Sequence, residues 1–123
     1  MGLFSRFRRN RRASSPRAAT GHNLAYLRAW AAQRRGIEAY VEPRTSVTPT
    51  TVVLVAHDGE WTRRRLDGPR SAYELGRELG IPVYDVAKLG YPQRMRDYTA
   101  RQSARRRAER RAQFRGEDRA EGS

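Results

Sequence analysis

Three side chains that could do acid–base or metal chemistry stand close together in the sequence, at His57, Asp58 and Glu60. A metal ion needs three or four convergent ligands, and this cluster offers one imidazole and two carboxylates. However, Asp58 precedes Gly59, and an Asp-Gly pair between two strand-like segments favours a tight hairpin turn. We therefore expect His57 and Glu60 to pair across the mouth of the hairpin, and we predict no catalytic residue, no metal ligand and no cofactor.

The motifs that normally accompany catalysis or cofactor binding are missing from the chain. It contains no glycine-rich phosphate loop, no GxGxxG and no GxSxG. It contains no cysteine, which excludes disulfides and thiolate metal ligands. We expect a non-catalytic protein, although an enzyme of unknown type that uses His57 or Asp85 stays open as an alternative.

Arginine is the residue type that dominates the remaining chemistry. The 123 residues include 26 basic and 13 acidic side chains, for a net charge of +13. Residues 1–20 have a net charge of +6, residues 21–93 of +2 and residues 94–123 of +5. A positive excess at both ends of a nearly neutral domain is typical of segments that bind a polyanion. The predicted phosphate contacts are Arg6, Arg8, Arg9, Arg11, Arg12, Arg63, Arg65, Arg101, Arg105, Arg106, Arg107, Arg110 and Arg111.

The element at the centre of the chain is a predicted β-hairpin, with strands at 51–57 and 60–66. A two-residue type I′ loop would place Ala56 opposite Trp61 and Leu54 opposite Arg63. The first strand is apolar on both faces, which predicts an interior strand. The second strand is rich in arginine, and charged side chains favour a sheet edge because they block further strand addition.

Helices and strands are predicted on both sides of the hairpin. Apolar residues at helical spacing predict a helix from an N-cap at Asn23 to about residue 35, and alternation predicts a strand over 37–42. After the hairpin, a Ser71–Glu74 capping box would begin a second helix that ends at Gly80. A short strand over 83–86 and a basic helix over 93–115 follow.

These elements predict a small α/β (α+β) domain with a mixed sheet of about four strands, flanked by helices. We divide the chain into a disordered basic arm (1–20), the α/β domain (21–93), an arginine-rich helix (94–115) and a disordered tail (116–123). The arginine-rich helix has few large apolar residues, so we expect it to protrude from the domain.

The order of elements over residues 23–86 resembles the core of restriction-endonuclease-like nucleases. Such enzymes hold Mg²⁺ with an acidic residue on one central strand and an acid-x-lysine on its neighbour. Here the neighbouring strand carries arginine at positions 63–65 and no lysine. The resemblance therefore implies a nucleic-acid surface rather than cleavage.

Three stretches, at 56–62, 81–86 and 90–98, resemble small uncharacterised proteins of actinobacteria. Some proteins in that group are labelled oxidoreductase. No residue in these stretches supports redox chemistry, so the resemblance implies no mechanism.

We predict that the protein binds RNA or DNA through phosphate contacts, on the ribosome or the chromosome, or together with another protein. A second interpretation is a membrane-surface or adaptor module, because Leu3, Phe4 and Phe7 alternate with arginines near the N-terminus. The basic start lacks an apolar signal core, and no apolar run reaches the roughly 20 residues of a membrane span. We therefore expect a cytoplasmic protein.

Overall fold

The computed structural model describes the backbone of residues 16–121 and the side chains of residues 17–116. This part of the chain contains four helices and four strands. They are α1 (Pro16–Ala32), β1 (Glu38–Glu42), β2 (Thr51–Val55), β3 (Trp61–Arg65), α2 (Pro69–Leu79), β4 (Val83–Asp85), α3 (Val86–Leu89) and α4 (Gln93–Glu121).

The four strands form one mixed sheet in the order β3-β2-β1-β4. β1, β2 and β3 are an antiparallel meander, whereas β4 returns through α2 to pair with β1 in parallel. This arrangement confirms the predicted fold class. It also confirms that β2 is an interior strand and that the arginine-rich β3 lies at an edge of the sheet.

The predicted register of the hairpin is wrong by one residue. Val55 lies opposite Trp61 and Val53 lies opposite Arg63, because the loop contains three residues rather than two. The loop is closed by a hydrogen bond of 2.8 Å from Ala56 N to Glu60 O, and Gly59 has φ +93°. Only this glycine has a positive φ in the loop, which is typical of a type I turn with a bulge rather than type I′.

The sheet has two covered faces, and the larger core lies on the face under α1 and α2. Leu27 of α1 and Leu75 of α2 pack there against Val52 and Leu54 of β2. The side chains of Leu27, Val52 and Leu54 are fully buried. Burial of several large aliphatic side chains, each contributing about 1.5–3 kcal/mol, holds these helices on the sheet.

The second face of the sheet is covered by the beginning of α4. Met95 packs against Tyr40, Val53 and Val55, and Trp61 lies at the margin of this smaller core. β1 therefore buries residues on both faces, rather than on the one apolar face that its alternation predicts. Core packing holds the first turns of α4. The sequence-based prediction that core packing does not hold this helix is wrong for these turns.

The first helix begins earlier than predicted. α1 starts at Pro16, so residues 16–20 are helical where the sequence predicts a disordered arm. Proline is favoured in the first helical turn because its nitrogen needs no intrahelical acceptor. Asn23 lies inside α1 and is not an N-cap, since its Nδ2 donates over 2.7 Å to the carbonyl oxygen of Arg65.

The ends of α2 and α4 also differ from the prediction in part. The capping box of α2 is wrong because Ser71 donates to Asp67 and Gly68 is the N-cap residue. Gly80 ends α2 as predicted, in the left-handed conformation with φ +66°. α4 continues to Glu121, past residue 116, where the sequence predicts a disordered tail.

Candidate nucleic-acid interface

Arg63, one of the predicted phosphate contacts, is held by a carboxylate on the sheet. Its Nε donates to Glu42 Oε1 over 2.6 Å, and its Nη2 donates to Oε2 over 3.0 Å. The hydroxyl of Thr51 donates to the same carboxylate over 2.7 Å, and so does the hydroxyl of Tyr91. The charge of Arg63 is therefore balanced inside the domain, which weakens its attraction for an external phosphate.

The protonation of this cluster follows from its contacts. Burial raises the pKa of Glu42, but hydrogen bonds from Arg63, Tyr91 and Thr51 outweigh burial, so that the pKa lies below its ordinary value. Burial and then the hydrogen bond to Glu42 raise the pKa of Tyr91. The cluster thus contains an ionised Glu42–Arg63 pair beside a neutral tyrosine near neutral pH.

The two arginines that follow Arg63 have different surroundings. Arg64 lies on the opposite face of β3, and its Cζ is 3.7 Å from the centroid of the Tyr26 ring. Arg65 is exposed and has no carboxylate partner in the described part of the chain. Of the two predicted contacts on β3, Arg65 is therefore the one that is available to a phosphate.

Two other arginines of the domain are also paired. Arg34 donates to Glu60 over 2.7 Å and stacks on Trp30, with its Cζ 4.2 Å from the ring centroid. The hydrogen bond to Glu60, opposed by burial, raises the pKa of Arg34. Arg94 at the start of α4 forms an ion pair with Glu38 on β1. These pairs stabilise the packing of helices against the sheet and balance the charges of the two arginines.

The acidic residues of the hairpin loop have structural partners within the domain. Glu60 pairs with Arg34 and not with His57, so the predicted pair across the hairpin mouth is wrong. Asp58 Oδ1 accepts a hydrogen bond of 3.0 Å from Glu60 N, as a turn residue does. Asp85 caps α3 by accepting from Ala87 N over 2.8 Å. Residues 16–121 contain no cluster of three or more histidine or acidic side chains that could hold a metal ion.

The predicted contacts on α4 have surroundings unlike those of Arg63. Every side chain from residue 103 to residue 116 is exposed. Residues 101–115 contain seven arginines and one acidic residue, Glu109. None of the seven forms an ion pair in the described part of the protein. Among the seven, only Arg101 makes a side-chain hydrogen bond within residues 17–116, of 3.1 Å from its Nη2 to the carbonyl oxygen of Asp58. The free positive charge of the described residues is therefore concentrated on α4.

The spacing of these arginines places like charges next to one another along α4, and these charges repel. Residues four apart are neighbours on a helix, and like charges at that spacing cost about 0.2–0.5 kcal/mol per pair. Four such pairs occur among residues 101–115, namely Arg101–Arg105, Arg106–Arg110, Arg107–Arg111 and Arg111–Arg115. A polyanion bound along α4 would reduce this repulsion and so would stabilise the helix.

A cavity of about 390 Å³ lies where α4 passes the edge strand, and the sequence did not indicate it. Trp61 of β3 and Tyr98 of α4 both line it. Trp61 Nε1 donates over 3.0 Å to Thr99 Oγ1, which fixes the indole. The other lining residues lie on α4 and are Gln102, Ser103 and Arg106. The sequence does not indicate that Trp61 and Tyr98 are neighbours, because they meet only where α4 packs across the second face of the sheet.

Close contact with the hairpin loop fixes the path of α4. A Cβ atom added at Gly59 would lie 2.0 Å from the carbonyl oxygen of Arg94 and 2.9 Å from Cβ of Tyr98. Only glycine leaves room for the helix backbone at this point. The loop therefore sets the distance between Trp61 and the cavity-lining residues of α4.

The five predicted contacts near the N-terminus lie outside the described residues, as do Leu3, Phe4 and Phe7. These contacts are Arg6, Arg8, Arg9, Arg11 and Arg12. Within the described part, no helix has the length and apolar composition needed to cross a bilayer. Comparisons with family models, curated proteins and solved structures found no match.

Proposed function

We propose that this protein binds RNA or DNA through phosphate contacts made by the exposed arginines of α4, with the sheet domain as a rigid support. The observation that carries the proposal is the contrast between the two groups of arginines. Arg34, Arg63 and Arg94 are paired with glutamates of the domain, whereas the arginines of residues 101–115 face solvent. Unpaired cationic side chains on an exposed helix attract the regularly spaced charges of a nucleic acid backbone.

The physical driving force is the release of counterions from the polyanion. Each phosphate that an arginine neutralises contributes about −0.7 to −0.9 to the slope of log affinity against log salt concentration. These contacts carry no sequence information by themselves, so we expect tight binding at low salt and little preference among sequences. The self-repulsion along α4 adds to the effect because bound phosphates relieve it.

The proposal is tested in the full-length protein by replacing Arg105, Arg106, Arg110 and Arg111 with glutamine. Glutamine is a good helix former, so the substitutions remove charge without breaking α4. The matched control replaces four exposed basic residues of the domain that form no ion pair among the described residues, Arg35, Arg44, Arg77 and Lys88, and loses the same charge. Gel shifts of both variants with RNA and with DNA are compared at low and physiological salt.

We expect the α4 variant to bind more weakly, with a salt slope shallower by about 3, while the control changes much less. If the two variants weaken binding equally, net charge rather than the placement of charge on α4 is responsible. If the unmodified protein binds neither RNA nor DNA at low salt, the proposed function is wrong.

A further inference from the structure

The cavity between β3 and α4 combines two aromatic rings with an arginine helix. Trp61 and Tyr98 line it from opposite elements, and Gln102, Ser103 and Arg106 complete the wall on the α4 side. Its volume of about 390 Å³ is at the small end of the range for ligand pockets, roughly 300–1,000 Å³. Phosphate contacts alone would need no such cavity, since exposed arginines are sufficient for them.

We infer that this cavity takes an unpaired base, so that the polyanion bound by α4 is a single-stranded segment of nucleic acid rather than a duplex. The inference rests on the proposed function, because the arginines of α4 bring the strand to the cavity. Proteins that bind single strands combine a basic surface with aromatic rings on which bases stack. Here the basic surface and the rings belong to one continuous site.

The indole of Trp61 is already oriented for stacking. Its Nε1 is bound to Thr99, and Thr99 in turn donates to the carbonyl oxygen of Met95 in the core. Arg63 lies over this ring, with its Cζ 5.2 Å from the ring centroid, so a base would stack on the part of the indole that lines the cavity. In a duplex the base faces are covered by their neighbours, so only an unpaired or extruded base offers a free face to the ring.

Polar groups at the cavity match the parts of a nucleotide. The Gln102 amide has donors and an acceptor for a base edge, and no hydrogen bond within the described residues uses them. Arg106 lines the same cavity and supplies a cationic group there for the phosphate of a stacked nucleotide. The guanidinium of Arg101, with its Cζ 6.0 Å from the Tyr98 ring centroid, adds positive charge beside the second ring.

The test uses the fluorescence of Trp61 in full-length protein carrying Trp30→Phe. Trp30 is 8% exposed in the core, so this variant leaves Trp61 as the only reporter, and the unmodified protein gives the same readout with a constant background. The probes are a single-stranded DNA oligonucleotide, the RNA of the same sequence, the blunt DNA duplex and heparin, a polyanion without bases. We expect both single strands to quench Trp61, and duplex and heparin to leave it nearly unchanged.

Two variants support the spectroscopic test. Tyr98→Ala should weaken binding of the single strand by roughly 5- to 100-fold, the range for one lost base–aromatic stack, and leave heparin binding unchanged. Tyr73→Ala, which removes an exposed tyrosine from α2, is the matched control and should have no effect. Gln102→Ala, outside both cores, should give a smaller loss for the single strand only.

The outcomes separate this inference from the proposed function. Equal quenching by duplex and single strand, or a neutral effect of Tyr98→Ala on single-strand binding, would overturn the unpaired-base site while leaving phosphate binding by α4 intact. Failure of every polyanion to bind at low salt would remove both. A difference between the RNA and DNA arms would identify which nucleic acid the site prefers.

Discussion

At the scale of single residues, the availability of an arginine depends on whether a carboxylate lies beside it on the folded sheet. Glu42 on β1 pairs with Arg63 on β3 across β2, whereas Arg65, which lies in line with Glu42 through Thr51, forms no ion pair in the described part of the chain. Arg63 and Arg65 are the same residue type on the same strand, so the sequence alone predicts a phosphate contact at both positions. The partner strand decides between them, and it belongs to a distant part of the chain.

The Glu42 cluster makes a prediction about acid stability. The folded pKa of Glu42 is depressed, so its ionisation stabilises the protein at pH values above its unfolded pKa, and this contribution is lost as pH falls through the folded pKa. We expect Glu42→Gln to lower the free energy of unfolding by about 1–3 kcal/mol at pH 7, because the hydrogen bonds from three donors are weakened.

Urea unfolding at pH 7 and at several acidic pH values measures this effect. The difference between the variant and the unmodified protein should shrink below about pH 4.5, the ordinary pKa of the group. Glu74→Gln is the control, since the Glu74–Arg70 pair is exposed and should contribute at most about 0.5 kcal/mol. A Glu42→Gln effect of the same size at every pH would show that ionisation of Glu42 is not involved.

Gly59 makes a second prediction at this scale. Gly59→Ala places a methyl group 2.0 Å from the backbone of α4 and also forces alanine to adopt φ +93°, whereas Gly80→Ala at φ +66° meets open space. The Gly80 variant therefore isolates the conformational cost, of about 1–2 kcal/mol. We expect Gly59→Ala to destabilise the protein by at least 2 kcal/mol and to increase the exposure of Trp61, as measured by urea unfolding and acrylamide quenching. Equal effects of the two substitutions would mean that α4 does not pack on the loop.

At the scale of elements, α4 consists of a docked half and a free half. Its first turns bury Met95 and pair Arg94 with Glu38, while residues 103–116 contact nothing that buries them. Isolated helices are marginal in water, and like-charge pairs lower their stability further. The free half is therefore the part of the described chain whose helicity should respond most to ions.

We predict that the helicity of α4 rises with salt. Screening between exposed charges strengthens as the Debye length falls from about 30 Å at 0.01 M to 10 Å at 0.1 M salt, which reduces repulsion among the arginines. Circular dichroism at 222 nm should become more negative over this range. The variant with glutamine at positions 105, 106, 110 and 111 should start more helical and change less. A salt response that is identical in the two proteins would place the effect outside α4.

The sequence predicts the helices and strands better than it predicts the contacts between them. Alternation and apolar runs correctly gave four strands in a mixed sheet, because these patterns reflect burial of one or both faces. The hairpin register failed because the Asp-Gly pair fits both a two-residue loop and a three-residue loop that ends in glycine. Asn23 was misassigned because its amide binds Arg65, 42 residues away. Such tertiary contacts leave no local signal, which is also why the Trp61–Tyr98 cavity was missed.

At the scale of the whole molecule, the residues that stabilise the fold and the exposed arginines of α4 lie in different parts of the chain. The two cores hold the domain between α1 and the first turns of α4, while the longest run of unpaired arginines among the described residues lies beyond Gln102. Substitutions in the free half of α4 should therefore change binding without changing folding. Substitutions in the core should change folding without changing the binding surface. We expect Leu54→Ala to lower the free energy of unfolding by about 2–5 kcal/mol.

Truncation after Ser103 tests this separation directly. Every described side chain that the truncation removes is exposed, so we expect the free energy of unfolding to stay within about 0.5 kcal/mol of that of the full chain. Binding of nucleic acid at physiological salt should weaken at least tenfold, with a salt slope shallower by about 4 to 5 for the loss of six contacts. Urea unfolding and gel shifts measure the two quantities in the same preparation. If the shortened protein bound as tightly as the full chain, the residues beyond Ser103 would have no part in the binding surface.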